Sequence, residues 1–260
     1  MEEKLVIETD ICKINALLTI PETCENTGKL PLVIMCHGFR AHILRKNHTN
    51  ISNCLASKGV ASLMFDFFGH GSSSGEFEDL TPEKALQNLK YVFEFVMVNK
   101  KFDFVDKSRI VVYGSSFGGM VTLMFASSCD NLKFIVLKAP VSQFNDFWKS
   151  KQNIDEWKEN GFIMHKNKNN EGLRLNYGFY ENGVNFNVQE MAENIKCGVY
   201  IVHGNNDCVV PVEQSKKLIG HLNVNEKELK VVEGADHLFR NEQHNKELVL
   251  WIVDKITEKI

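Results

Sequence analysis

The chain has 260 residues, 43% of them hydrophobic and 24% charged, with only 17 glycines and 5 prolines; this composition belongs to a globular protein and excludes a disordered, collagen-like or coiled-coil chain. The length suits one α/β domain carrying an insertion, and no linker composition divides it in two. Lys and Arg number 30 against 33 Asp and Glu, a formal net charge of −3, so there is no overall basic excess for a phosphate backbone and nucleic acid is not expected as a partner.

The opening MEEKLVIETDIC lacks the basic, apolar and small-residue regions of a secretory signal. No apolar run approaches a membrane span, and a cytoplasmic location is expected. Residues 5–8 and 13–20 read as an opening strand pair. LPLVIMC (30–36) is apolar on both faces, as a strand buried in a parallel sheet must be. Further strands are predicted at 60–67, 109–114, 134–139, 198–204 and 228–234, with helices over 48–58, 82–97, 117–128, 211–222 and 241–258. The helix from 82 is the clearest, because Thr81 is placed to cap it, Pro82 takes its first position, and Ala85, Leu86, Leu89, Phe93, Val96 and Met97 mark its apolar face. This alternation predicts an α/β fold, a mostly parallel sheet with helices on both faces and the ligand beyond the carboxyl ends of its strands.

Residues 141–190 break the rhythm with a stretch rich in Asn, Lys and aromatic side chains. It is too long for bare loop, and reads as a mostly helical cap inserted in a single domain spanning 1–260, with some of its aromatics lining a substrate pocket. Seven cysteines, at 12, 24, 36, 54, 129, 197 and 208, are odd in number and form no C-x-x-C pair. They argue against a disulfide framework or a zinc site, and most read as small buried hydrophobes.

The pattern G-x-S-x-G occurs twice, at 71–75 and 114–118. It serves catalysis only as a tight turn from a buried strand into a helix, which lifts the serine hydroxyl above the sheet. RIVVY precedes the second copy and MVTLMFASS follows it, whereas the first runs from DFFGH into EFEDL. Ser116 is therefore the candidate nucleophile, and Ser73 belongs to a glycine-rich loop. A serine hydroxyl needs a base to take its proton, and the base needs an acid to hold its tautomer. The candidates that follow strands are Asp207, in GNNDCVVP, and His237, in GADHLF. Asp236 points away from its neighbour and braces the loop, while His165, His203, His221 and His244 read as structural or solvated. A developing oxyanion needs donors, supplied by the Phe117 N–H after the nucleophile and the Phe39 N–H in His37-Gly38-Phe39-Arg40, where Gly38 permits close approach. His37 orients that loop.

With these residues placed, the chain resembles the α/β-hydrolase superfamily over essentially its whole length. HGF after LPLVIMC, the string FDFFGHGSSSGEFEDLT, the insertion before the acid strand, and IVHGNNDCVVP resemble the bacterial cinnamoyl or feruloyl esterases. In that group the 66–75 string is a loop motif. The resemblance implies that Ser116 attacks an ester carbonyl, His237 acts as base and then acid, Asp207 orients it, and the Phe39 and Phe117 N–H groups hold the oxyanion, without a cofactor. Two features depart from that group. Ser115 stands where a His is more frequent, making GSSFGG similar also to prolyl-oligopeptidase-like and acyl-transferring hydrolases, and Arg40-Ala41 replaces a smaller, glycine-containing pair.

The expected function is that of a serine carboxylic ester hydrolase, cleaving small acyl or hydroxycinnamoyl-type esters through an acyl-enzyme. The same triad would serve a thioesterase, an acylglycerol lipase or a small prolyl-oligopeptidase-like hydrolase, since the pocket sets the substrate. Arg40, Arg45 and Lys46 suit either the phosphates of a CoA conjugate or a solvated loop. A non-catalytic ligand-binding relative is disfavoured by the intact constellation. No metal-ligand spacing is present. The expected partner is a small-molecule ester, with no stable membrane insertion, and a homodimer is left open.

Overall fold

The computed structural model describes residues 1–22, 28–166 and 172–260. Cys24 and part of the inserted stretch lie outside the described residues. The chain opens with an antiparallel pair, β1 (Glu2–Glu8) and β2 (Lys13–Thr19). It then enters the parallel sheet through β3 (Leu30–Cys36), α1 (Lys46–Ser57), β4 (Ala61–Phe65), α2 (Pro82–Val98), β5 (Val105–Ser115), α3 (Phe117–Ala126) and β6 (Phe134–Lys138). The inserted stretch follows: α4 (Phe144–Lys149), α5 (Ile154–Asn160), a separate hairpin of β7 (Phe162–Lys166) and β8 (Gly172–Asn176), then α6 (Gly178–Gly183) and α7 (Val188–Ala192). β9 (Gly198–Gly204), α8 (Val212–His221), β10 (Lys227–Val232) and α9 (Glu242–Lys259) complete the chain. The eight-stranded sheet has the order β1-β2-β4-β3-β5-β6-β9-β10, parallel from β4 onward.

Every residue of β3, β4 and β6 is buried, which is why these strands are apolar without alternation apart from Ser62 and Lys138. One core lies between the sheet and α2 and α3, with Phe65, Leu89 and Leu123 at its centre; the other packs Met35, Tyr113 and Ile252 under α1 and α9. Burial of each large side chain contributes roughly 1.5–3 kcal/mol. α2 begins as its sequence predicts, with Thr81 Oγ1 accepting from the Lys84 N–H at 3.1 Å and Pro82 in the first turn. All of α3 is buried, and it is accordingly apolar all round.

Among the described residues of 141–190, the hairpin is what departs from the mostly helical reading of that stretch. Its strands are short and largely half-exposed, so they carry neither a long apolar run nor sustained alternation. Tertiary contacts hold them: the indole of buried Trp157 on α5 donates to Leu175 O at 3.3 Å, and the Arg174 guanidinium lies 4.2 Å from the Phe162 ring centre. Cys12 and Cys36 are buried free thiols, Cys54, Cys129 and Cys197 are half-buried, and Cys208 is exposed. Among the described residues no helix is long and apolar enough to cross a membrane.

Candidate active site

β5 runs through the middle of the sheet and stops at Ser115, and α3 starts at Phe117, so a single residue makes the turn. Ser116 makes it at φ 56° and ψ −114°, a conformation that costs an L-residue of order 1–3 kcal/mol and persists only where its surroundings impose it. Space is what the flanking glycines supply. A side chain on Gly114 would strike Thr122 Oγ1 and Gly118 O, and one on Gly118 would strike the carbonyls of Cys36 and His37. The Ser116 N–H donates to Lys138 O at 2.9 Å, tying the turn to the neighbouring strand.

The structure brings Ser116, His237 and Asp207 together. His237 Nε2 lies 3.1 Å from Ser116 Oγ, and His237 Nδ1 lies 2.6 Å from Asp207 Oδ2. With Nδ1–H donating to the carboxylate, Nε2 is left as the acceptor for the serine proton. Both His237 and Asp207 are buried. Burial works against the Asp207 charge, yet hydrogen bonds from His203 and His237 and the Val210 N–H outweigh it and hold the carboxyl below the usual range. The Val209 and Val210 N–H groups each donate to its Oδ1 at 2.8 Å. His237 is itself lowered, by burial first and by the charge of Lys138, against the pull of Asp207.

Two neighbours support this trio: His203, weighed from sequence as structural or solvated, and Lys138, not singled out there. His203 places Nε2 3.2 Å from Asp207 Oδ2 and 2.9 Å from Val210 O, while its Nδ1 meets Ser215 Oγ at 2.7 Å. Lys138, at the end of β6, donates to the carbonyl of His237 at 2.6 Å and is buried, which lowers its ammonium to about 8 against the opposing charges of Asp207 and Asp236. A lysine closing the buried run FIVLK is the one sequence signal that marked it. Asp236 braces its own loop, accepting from the Arg240 N–H at 3.0 Å and pairing with its guanidinium at 3.1 Å.

The His37–Arg40 loop comes within contact of the elbow, since a methyl on Gly38 would lie 3.5 Å from Ser116 Cβ. Phe117 is the first residue of α3, so its N–H has no intrahelical acceptor. Both Phe39 and Phe117 line the same cavity as Ser116. His37 Nδ1 donates to Gly38 O at 2.8 Å and its Nε2 accepts from the Phe67 N–H at 3.1 Å, so it does orient the loop. His70 joins it by accepting from the Arg40 N–H at 3.2 Å. Ser73 is committed elsewhere, donating to Asp66 O at 2.6 Å and accepting from the Asn15 N–H at 2.9 Å.

Ser116 opens into a cavity of about 1370 Å³, walled on one side by Phe144, Phe147 and Trp148 of α4 and by Leu173 of β8. Phe39 packs edge-on to Trp148 at 5.7 Å and to Phe117 at 6.0 Å. Among the described residues no His, Cys, Asp and Glu cluster is arranged to hold a metal ion.

Comparison with known proteins agrees with this architecture. The solved structure of Est1E from Butyrivibrio proteoclasticus with ferulic acid bound superposes with a TM-score of 0.86 at 26% identity, covering 98% of each chain. The mitochondrial palmitoyl-protein thioesterase ABHD10 of Bos taurus is 23% identical over 90% of this chain and 75% of its own length. A 31.7 kDa protein of the traX-finO intergenic region of Escherichia coli is 25% identical over 79% of this chain and 82% of its own. The family model of the prolyl oligopeptidase family matches residues 47–256. With an α/β-hydrolase sheet, a serine elbow at its centre and that match across most of its length, the chain belongs to the prolyl oligopeptidase family of α/β-hydrolases.

Proposed function

We propose that the protein is a serine carboxylic ester hydrolase that cleaves small acyl or hydroxycinnamoyl-type esters. The observation that carries this reading is the Ser116–His237–Asp207 chain, with contacts of 3.1 and 2.6 Å, at a strained elbow. His237 takes the Ser116 proton as Oγ attacks the carbonyl carbon, and Asp207 stabilises the imidazolium that forms. The Phe39 and Phe117 N–H groups receive the oxyanion. Collapse expels the alcohol, protonated by His237, and leaves Ser116 acylated. Water activated by the same histidine then releases the acid and restores the serine. No cofactor enters.

The aromatic wall of Phe144, Phe147 and Trp148 favours an apolar or aromatic acyl group. The ferulic acid bound to Est1E, a relative of matching fold, supports a hydroxycinnamoyl group in particular. The test is hydrolysis of 4-nitrophenyl butyrate and methyl ferulate, with Ser116→Ala as the blank. Turnover of both, lost in the variant, supports the full reading. Turnover of the butyrate alone keeps the mechanism and removes the hydroxycinnamoyl substrate. Absence of both from folded protein sinks the proposal.

A further inference from the structure

The cavity has a second side that differs from the aromatic one. Arg45, Lys46 and Arg240 contribute to its lining there, with Arg40 on the loop before α1, while Lys151 and Lys166 add positive charge from the inserted stretch that carries the aromatic wall. Asp236 is the only carboxylate among the described lining residues, and it is already paired with Arg240 at 3.1 Å. A net charge of −3 for the whole chain therefore conceals a cationic stretch in the cleft that holds Ser116, and low-dielectric walls focus such a field. Arg45 and Lys46 approach Arg240 because Asn47 Nδ2 donates to Leu238 O at 3.2 Å, joining the start of α1 to the loop that carries His237.

Two further observations point to a ligand on this side. Arg45 occupies the N-cap of α1 without a capping hydrogen bond, Lys46 follows it, and the first turn holds no acidic residue. Cations oppose the helix macrodipole at this end, where Asp, Ser or Glu would stabilise it. Under α1, the buried His48 Nε2 and Tyr113 Oη line the same cavity without a hydrogen-bond partner among the described residues, and His165 Nε2 is likewise unpartnered beside Trp148. Buried polar groups of this kind are normally satisfied. Tyr113 belongs to the core under α1 and α9, whereas Phe144 and Trp148 belong to the core on the opposite face of the sheet. The apolar and polar walls thus meet at Ser116 from opposite sides.

We infer that the cleft selects substrates carrying an anionic group, a phosphate or a carboxylate, on the arm of the ester or thioester that faces Arg45, Lys46 and Arg240. An apolar arm lies against Trp148 and its neighbours, and the anion completes the first turn of α1. This inference rests on the hydrolase reading and adds the chemical class of its substrate.

The test compares matched pairs with one scissile bond in each: butyryl-CoA against S-butyryl-N-acetylcysteamine for phosphate, and 3-carboxy-4-nitrophenyl butyrate against 4-nitrophenyl butyrate for carboxylate. The readout is the ratio of kcat/KM, anionic over neutral, at low salt. The inference expects at least one ratio above about 10, falling at least severalfold when salt rises from about 0.02 to 0.3 M. It also expects that ratio to collapse toward one in Arg45→Asp/Lys46→Glu. That variant improves the helix cap and dipole, so its thermal midpoint stays at or above that of the parent. A high ratio for one pair alone identifies which anion is recognised. Ratios near one, or ratios unchanged in the variant, overturn the inference while leaving the hydrolase intact. If none of the four is turned over, the hydrolase reading fails instead. Equilibrium binding then decides the anion side: CoA bound at least tenfold more tightly than N-acetylcysteamine by wild type, and not by the variant, upholds it, and equal binding overturns it.

Discussion

His203 and His237 converge on a single oxygen of Asp207, at 3.2 and 2.6 Å respectively. His203 sits inside β9 with Ser215 behind it and Val210 O beside it. A ring carrying its proton on Nε2 and accepting on Nδ1 satisfies these contacts together, so His203 fixes the carboxylate that His237 also meets.

His203→Phe should therefore lower kcat by about tenfold with little change in KM, because it loosens the acid without touching the cavity. His203→Gln, which keeps a donor near the Nε2 position, should recover part of the loss. Steady-state kinetics of the two variants decides this. Equal loss in both would mean that ring shape, and not the hydrogen bond, is what matters.

Ser116→Ala should reduce kcat by roughly 10³- to 10⁶-fold and leave the fold unchanged. Ser73→Ala should keep most activity and lose stability instead, by about 1 kcal/mol for each of its two backbone hydrogen bonds. Kinetics and urea melts on both variants separate the two G-x-S-x-G copies.

The pH dependence has a definite sign. Burial lowers His237 from 6.5, and turnover needs its neutral form, so the acid limb of kcat/KM should have its midpoint below 6.5 and the rate should be flat through neutrality. Stability should also fall with acid. Burial lowers His37, His70 and His237 too, and brings His48 to about 4. Between 6.5 and that value the unfolded chain binds more protons than the folded one, and stability declines as pH falls through this window. The His48 shift alone is worth about 3 kcal/mol between pH 7 and pH 4. Denaturant melts at several pH values would reveal this slope.

Gly118→Ala should destabilise by about 1–3 kcal/mol, since the methyl meets backbone carbonyls of Cys36 and His37 and not a yielding side chain. The displaced first turn of α3 also carries the Phe117 N–H, so kcat should fall more than KM rises. Thermal melts and steady-state rates measure both effects.

The strands and helices of the sheet were legible because their signals are local. LPLVIMC is apolar at consecutive positions since both faces of β3 are covered, and α2 announces itself through Thr81 and Pro82. Ser116, Asp207 and His237 could be selected for a related reason. Residues just past parallel strands lie at one edge of a sheet, so strand ends separated by many residues are neighbours in space. The hairpin of β7 and β8 left no such mark, being held by Trp157 and not by its own pattern.

The succession of strands and helices along the chain, and the contrast between the two G-x-S-x-G contexts, were thus legible in the sequence itself, through periodicity and turn chemistry that act over a few residues. Only the tertiary structure decided that His203 supports Asp207, that Lys138 holds the His237 carbonyl, and that Arg45, Lys46 and Arg240 share one cleft. These contacts join segments that the sheet topology brings together, and a buried histidine or lysine looks the same along the chain whether its partner is a carboxylate, a carbonyl or nothing.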